Sequence, residues 1–173
     1  MKKIMIIVVV LAVLGVYFKE VKREIVDLKA NVEVQEAQLQ ECLRHRSELG
    51  SQLVEVMRDY AEPILLLKAS NASIGLEGSF DSYDFEAMGE AGNELEAAIN
   101  ELMSVTSSEL EENVDFLNLQ EELAYNKEEI LEIREIYLER AKQYDEKIQT
   151  FPASFVAWYI AYYPTRYIEI DFD

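Results

Sequence analysis

The sequence predicts an all-α protein in which an N-terminal transmembrane helix precedes an antiparallel up-and-down four-helix bundle. Two observations predict it: an uncharged apolar run at residues 4–18, and apolar residues at heptad spacing along most of the remaining chain. The chain has 173 residues, 50% of them hydrophobic, with only six Gly and three Pro, which is enough for one buried core. We divide it into a transmembrane signal anchor at 1–18, a bundle at 19–157 and an aromatic-rich tail at 158–173.

The apolar run is an uncleaved signal anchor, a cleaved signal peptide or a buried helix. We expect the anchor, because no A-x-A cleavage site precedes Lys19. The run spans only about 22 Å of a hydrocarbon core of about 30 Å, and local thinning of the bilayer covers part of the difference. This interpretation gives a single-pass protein of the cell (inner) membrane that contacts lipid through residues 4–18. Basic residues flank both ends of the run, so its orientation is only weakly predicted, with the bulk domain extracytoplasmic.

The next helical pattern runs from Val21 to Tyr60 in alternating steps of three and four, spacing typical of a coiled coil. Either one helix continues to Pro63, or the helix ends at Gly50 and a second begins at Ser51. We expect the break at Gly50, because a helix reaching Pro63 would be about twice as long as the later helix available to pair with it. Pro63 would then kink the second helix.

A loop and a third helix are predicted next. Residues 70–84 combine Gly, Ser, Asn and Asp without periodicity, which indicates a long loop. Asp84 can cap a helix that extends to Thr106. Gly89 and Gly92 fall inside this helix, where each costs roughly 1 kcal/mol. We therefore expect a neighbouring helix to approach closely at both glycines.

The longest pattern lies at 116–152, preceded by a capping-box sequence from Ser108 to Glu111. Every seventh residue from its start is apolar: Phe116, Leu123, Ile130, Tyr137, Tyr144 and Phe151. The stripe drifts late in the run, which favours packing in a globular bundle over a long supercoil.

Composition excludes some functions. The formal net charge is −18, and such a surface repels phosphate backbones, so we expect no nucleic-acid partner. Cys42 is the only cysteine and occupies a core-facing heptad position, where a thiol is inert. His45 is the only histidine. It could share a metal weakly with Glu41, but a di-iron bundle site needs Glu-x-x-His, and Cys42 stands three residues before His45. We therefore predict no enzyme, no catalytic residue, no metal and no cofactor.

Polar residues on otherwise apolar stripes, Gln35, Arg46 and Asn126, usually fix helix register or bind buried water. The aromatic tail either caps an end of the bundle or lies at lipid headgroups, where Trp and Tyr are enriched. The candidate interaction residues are Arg44, His45, Arg46, Trp158, Tyr159 and Tyr163.

Several stretches together resemble the LemA family. They are Leu43–Leu49, Leu53–Ala61, Phe116–Leu123 and Lys147–Pro152, with Ile130, Arg134, Tyr137, Tyr144 and Val156-Ala157 between or after them. The resemblance is that of a divergent member, since Ser51 stands where the family pattern has a proline, and Glu128, Leu138 and Asp145 stand where it has asparagines. The resemblance implies a membrane-anchored bacterial four-helix bundle for which no activity or cofactor is established.

The predicted function is a membrane-anchored scaffold or interaction protein of the bacterial cell envelope, without catalysis, whose partner is an unidentified envelope protein. The alternative is a protein that binds or remodels a membrane surface through its aromatic tail. The sequence leaves open the partner, the oligomeric state and whether residues 1–15 are cleaved.

Overall fold

The computed structural model describes residues 2–82, 84–105 and 107–172, without the side chains of residues 2–11, 82 and 108. Within these residues the chain is helical and has no strand, which confirms the all-α prediction. The helices are α1 (Lys2–Val56), α2 (Pro63–Ser82), α3 (Phe85–Met103), α4 (Ser108–Glu111), α5 (Val114–Gln149) and α6 (Ala153–Tyr159).

The predicted transmembrane anchor at 1–18 is wrong. Across the described stretches of the chain, no helix is both long and apolar enough to cross a membrane. The physical reason is that residues 4–18 form only the start of α1, which continues without interruption into Lys19 and Glu20. A span needs about 20 consecutive apolar residues, and this run stops short of that. The assignment to the inner membrane as a single-pass protein is corrected with it.

The chain divides into two compact units. The first comprises residues 1–34 and 137–165, and the second comprises residues 35–136 and 166–173. Helices α1 and α5 contribute residues to both units.

The core of the first unit is built by three helices, α1, α5 and α6. Lys147 on α5 and Glu24 on α1 form an ion pair at 2.6 Å beside this core. Its buried apolar side chains are Val21, Ile25, Val32, Tyr137, Ala141, Tyr144, Ile148, Ala153, Val156 and Ala157. Most of them belong to the three-four stripes of the sequence, so those stripes do identify the core here.

In the second unit, α2 packs against α3. The fully buried apolar side chains of this unit include Leu39, Leu43, Leu49, Leu53, Met57, Leu76, Met88 and Leu95. Each contributes roughly 1.5–3 kcal/mol when it leaves water. Leu39, Leu49 and Leu53 belong to the predicted heptad pattern.

The predicted break at Gly50 is wrong, because α1 passes through this residue and ends at Val56. A Cβ at Gly50 would lie 3.0 Å from both Leu95 Cδ1 and Ser73 Oγ. The glycine therefore permits close approach of α1 to its neighbours inside the unit and does not end the helix. Pro63 is the first residue of α2, a position at which its missing N–H breaks no helical hydrogen bond. The predicted kink at Pro63 inside a helix is therefore wrong.

The predicted loop at 70–84 is wrong for all of its described part except Asp84, since residues up to Ser82 belong to α2. Packing explains the difference: Ala72 and Leu76 are buried, and the buried hydroxyl of Ser79 donates to the Leu76 carbonyl at 2.6 Å. Tertiary contacts on one face thus outweigh weak helix propensity. Tyr83 lies outside the described residues.

The later helices follow prediction more closely. The Asp84 carboxylate caps α3 by accepting from Glu86 N and Ala87 N at 3.2 and 3.3 Å. The helix ends at Met103, and the predicted end at Thr106 lies outside the described residues. Helix α4 is capped by Ser107, whose hydroxyl accepts from Leu110 N at 3.1 Å, so the predicted cap at Ser108 is wrong by one residue.

Candidate interaction surfaces

The candidate interaction residues Arg44, His45 and Arg46 are consecutive in the sequence but have different environments. Arg44 and His45 are exposed, and Arg44 pairs with Glu41 at 3.1 Å and lies over the ring of Phe80. Arg46 is 2% exposed. It is therefore an interior residue and contributes nothing to an exposed surface.

Arg46 is the centre of a buried polar network in the second unit. Its guanidinium is paired with the Glu96 carboxylate through Nε at 2.9 Å and through Nη2. Its Nη1 donates to Leu123 O at 2.8 Å and to Asn126 Oδ1 at 3.3 Å. Lys127 Nζ reaches the other Glu96 oxygen at 3.1 Å. These contacts join α1, α3 and α5 within the second unit, and a buried charge held by this many partners is satisfied.

Cys42 is buried, and its environment disfavours the reactive thiolate. Burial, followed by the nearby carboxylate of Glu129, raises the pKa of the thiol to about 11. At neutral pH the group is a protonated, weakly nucleophilic thiol. Its backbone carbonyl accepts from Asn126 Nδ2 at 3.1 Å, so the residue serves the network around Arg46.

His45 and Glu41 do not form a larger ligand set. Among the residues with described side chains, no three His, Cys, Asp or Glu residues lie close enough together to hold a metal ion.

Several aromatic side chains of the first unit are exposed. Helix α6 buries Ala153, Val156 and Ala157 on one face and leaves its aromatic residues outside. We call the exposed set the aromatic surface: Phe151 (81% exposed), Phe155 (55%), Trp158 (73%), Tyr159 (68%) and Tyr163 (70%). The rings of Phe155 and Trp158 lie 5.9 Å apart, and Tyr159 meets Phe18 edge-on at 5.7 Å. Trp158, Tyr159 and Tyr163, predicted from the sequence, are therefore all solvent-exposed.

Buried polar groups hold the chain that presents this surface. Tyr144 OH donates to Tyr163 O at 3.0 Å, and the Asp145 carboxylate accepts from Thr165 N at 2.8 Å. Burial, and then the neighbouring Asp145, raise the pKa of Tyr144 to about 12. Lys29 Nζ lies 5.8 Å from the centre of the Tyr144 ring. These hydrogen bonds hold the backbone beside the exposed rings in place. Binding of a partner therefore costs less conformational entropy.

The turn after α6 places an alanine in a conformation that glycine usually adopts. Ala161 has φ of 56°, the left-handed region, while Tyr162 N donates to Ala157 O at 2.9 Å to close the helix end. Glycine is the usual residue at such a position. The left-handed alanine costs roughly 1–2 kcal/mol, which the surrounding contacts offset.

The second unit holds an extended segment that sequence analysis grouped with the aromatic tail. Ile168, Ile170 and Phe172 are buried, whereas Glu169 and Asp171 between them are exposed. Alternation with a period of two was visible in the sequence and could have identified an extended, half-buried segment.

Comparison with known proteins gives one family. The model of the LemA family matches residues 35–172, which is most of the chain. No curated protein matches the chain.

Proposed function

The chain belongs to the LemA family, and on that premise we propose that it is a non-catalytic helical-bundle scaffold that binds another protein through the aromatic surface. The observation that carries the proposal is five large aromatic side chains, each more than half exposed, on one short helix or within four residues of its ends. The segments of α1, α2, α3 and α5 that share the second unit support a four-helix bundle as the scaffold.

The chemistry of the aromatic surface favours a protein partner. Trp and Tyr are enriched among residues that contribute most to protein binding, because each combines a large apolar area with a polar tip. Trp158 and Tyr163 are 73% and 70% exposed, so most of their area remains available for burial by a partner. Isolated exposed apolar residues need no explanation, but a cluster of this kind marks an interaction site.

Charge does not select an acidic or a basic partner for this surface. The net charge of the chain is −18, but the unit that carries the aromatic surface, residues 1–34 and 137–165, has nine Lys or Arg and seven Asp or Glu. The acidic excess belongs to the other unit, so a protein surface of low net charge with an apolar centre fits best. The aromatic side chains then supply the buried centre of the interface.

The test is site-specific photocrosslinking of the full-length chain in intact cells. A photoreactive phenylalanine analogue placed at Trp158 should trap a discrete protein partner. The matched control position is Tyr125 on α5, which is also aromatic and 67% exposed, and should trap none. Equal crosslinking at both positions, or only intramolecular products at Trp158, would contradict the proposal.

A second arm separates protein from lipid. The full-length chain is sedimented with phosphatidylcholine vesicles, with and without Trp158→Ala and Tyr163→Ala. The proposal predicts that the chain stays in the supernatant. Sedimentation that the two substitutions abolish would replace the protein partner by a membrane surface.

A further inference from the structure

The C-terminal segment of the second unit, residues 166–172, lies on its own chain in the manner of a bound peptide. Ile168, Ile170 and Phe172 are 0%, 1% and 6% exposed, while the intervening Glu169 and Asp171 face solvent. This alternation is that of an extended strand with one buried face. Three apolar side chains at alternate positions therefore provide the contact, and the two acidic side chains between them do not.

Asn93 on α3 binds the backbone of this segment. Its Nδ2 donates to Glu169 O at 3.3 Å, and its Oδ1 accepts from Asp171 N at 2.8 Å. One amide thus satisfies the backbone groups on both sides of Ile170. Because the contacts are made to backbone atoms, they place no demand on the side chains at positions 169 and 171.

Gly89, one turn before Asn93 on α3, lets the segment come close. A Cβ at this position would lie 2.4 Å from Glu169 O, a distance that no side chain tolerates. The sequence predicted close approach of a helix at Gly89, and the structure shows an extended segment there instead. Since Gly costs roughly 1 kcal/mol in a helix interior, this approach is what the residue provides.

A preformed contact receives the aromatic end of the segment. The guanidinium of Arg46 lies 5.4 Å from the centre of the Phe172 ring, within the range of a cation–π interaction. Glu96 and the Leu123 carbonyl hold that guanidinium in place. The partner of the aromatic ring is therefore fixed by groups outside the segment.

We propose that Arg46, Gly89 and Asn93, together called the tail site, bind an extended segment of a partner protein with an apolar-basic-apolar-basic-aromatic pattern. Residues 166–172 are the intramolecular competitor for this site. We infer the apolar and aromatic positions of the partner from the chain's own segment, in which Ile168, Ile170 and Phe172 are buried and Asn93 binds the backbone. This inference is independent of the aromatic surface, which lies in the other unit.

The acidic residues near the tail site favour a basic residue at each of the two exposed positions of a bound segment. Glu86, Glu90 and Glu94 are exposed at successive turns of α3, on the face next to the one that carries Gly89 and Asn93. The chain's own segment brings Glu169 and Asp171 to this acidic neighbourhood. Lysine or arginine at the same two positions would replace repulsion by attraction without altering a buried contact.

The same argument disfavours a second copy of this chain as the occupant. A copy would supply an identical acidic segment and bring a further net charge of −18. A partner must also displace a segment tethered at an effective concentration of the order of millimolar. The favourable charge of a basic segment supplies part of that advantage.

The experiment uses the full-length chain and a fluorescent peptide. The peptide covers residues 165–172 and carries Glu169→Lys and Asp171→Lys. In the chain, Ile170→Asp places a charge at a buried position and releases the intramolecular segment. We expect fluorescence anisotropy to show peptide binding to this variant at least about tenfold tighter than to the wild-type chain, whose own segment competes. Faster hydrogen exchange at the Asp171 amide, which Asn93 otherwise protects, confirms release.

Two controls isolate the site. Gly89→Val also releases the segment but blocks the approach of any backbone, so this variant should not bind the peptide. A peptide of the same charge with Ile168→Ser and Ile170→Ser should not bind the Ile170→Asp variant. The peptide with the native Glu169 and Asp171 should bind it more weakly than the basic one, and the difference should shrink at high salt.

Failure of the basic peptide to bind a folded Ile170→Asp variant with a released segment overturns the proposal. Equal binding to Gly89→Val also overturns it. If Ile170→Asp loses its helical circular dichroism, Phe172→Ala is the releasing variant. If that variant also unfolds, the test uses the wild-type chain with millimolar peptide. Faster hydrogen exchange at the Asp171 amide then shows that the peptide displaces the intramolecular segment, and unchanged exchange overturns the proposal. Tighter binding of the peptide with the native Glu169 and Asp171 than of the basic peptide would assign the site to a second copy of this chain and reject the basic partner segment.

Discussion

The two stretches on either side of Thr165 differ sharply although both are rich in aromatic and apolar residues. Before it, Trp158, Tyr159 and Tyr163 are mostly exposed in the first unit. After it, Ile168 and Phe172 are buried in the second unit. Composition is similar, but backbone conformation differs: α6 buries only its small residues, whereas the extended segment buries every second residue. Local conformation and the available neighbouring surface therefore decide which hydrophobic residues are free to bind a partner.

The largest expected effect concerns the polar network around Arg46, which contacts the buried stretch after Thr165. Glu96→Ala leaves Arg46 without its carboxylate in a buried site, and we expect a loss of about 3–5 kcal/mol in the free energy of unfolding. Urea denaturation followed by circular dichroism measures it. Glu101→Ala breaks the exposed pair with Lys68 and should cost less than about 1 kcal/mol. Similar losses for both variants would show that burial of the pair does not matter.

The next effect compares the two aromatic sets directly. Phe172→Ala removes a buried ring and its contact with Arg46, and should lower the free energy of unfolding by about 3–4 kcal/mol. Trp158→Ala should change it by less than about 0.5 kcal/mol, since the ring is mainly in water. The same denaturation experiment measures both. A destabilising Trp158→Ala would mean that the aromatic surface is structural.

Alkaline pH should weaken both units through buried groups. The pKa of Tyr144 is raised from 10 to about 12 in the folded chain, so between these values the unfolded state loses its proton first. Stability from this group is complete below pH 10 and falls as pH approaches 12. The Cys42 thiol acts likewise between pH 9 and about 11.

The measurement is the free energy of unfolding at a series of pH values. Tyr144→Phe should be less stable than the wild type at pH 8, because the bond to Tyr163 O is lost, yet should decline less above pH 10. Cys42→Ala should decline less from pH 9. Parallel curves for wild type and either variant would show that the group does not contribute.

The smallest effect is expected within the first stretch, at the turn after α6. Ala161→Gly relieves a left-handed alanine and should raise the free energy of unfolding by about 0.5–1 kcal/mol, despite the greater flexibility of glycine when unfolded. Ala97→Gly, at an exposed interior position of α3, is the control and should lower it by about 1 kcal/mol. Destabilisation at both positions would argue against strain at Ala161.

The sequence predicted the helices where a stripe persisted over many residues. Leu123, Ile130, Tyr137 and Tyr144, spaced by seven, are buried as expected, but Phe151 is 81% exposed because α5 ends at Gln149. Once the helix ends, the seven-residue spacing no longer keeps a side chain on the same face.

Predictions based on single residues were less accurate. Gly50 suggested a helix end, whereas its small size serves packing against Leu95, a contact that depends on distant residues. The apolar run at 4–18 suggested an anchor, but α1 becomes charged from Lys19 onward. Asn93 gave no signal, because its value lies in two backbone atoms that are more than 70 positions away along the chain.

The state of Cys42 has a practical consequence for measuring motion and binding in this protein. Its thiol is buried, with its pKa raised to about 11, and it is the only cysteine of the chain. Maleimide reagents at neutral pH require an accessible thiolate and should leave it untouched. A cysteine introduced at an exposed position, such as Tyr125 or Tyr163, can therefore carry a spin label or fluorophore in the otherwise native sequence.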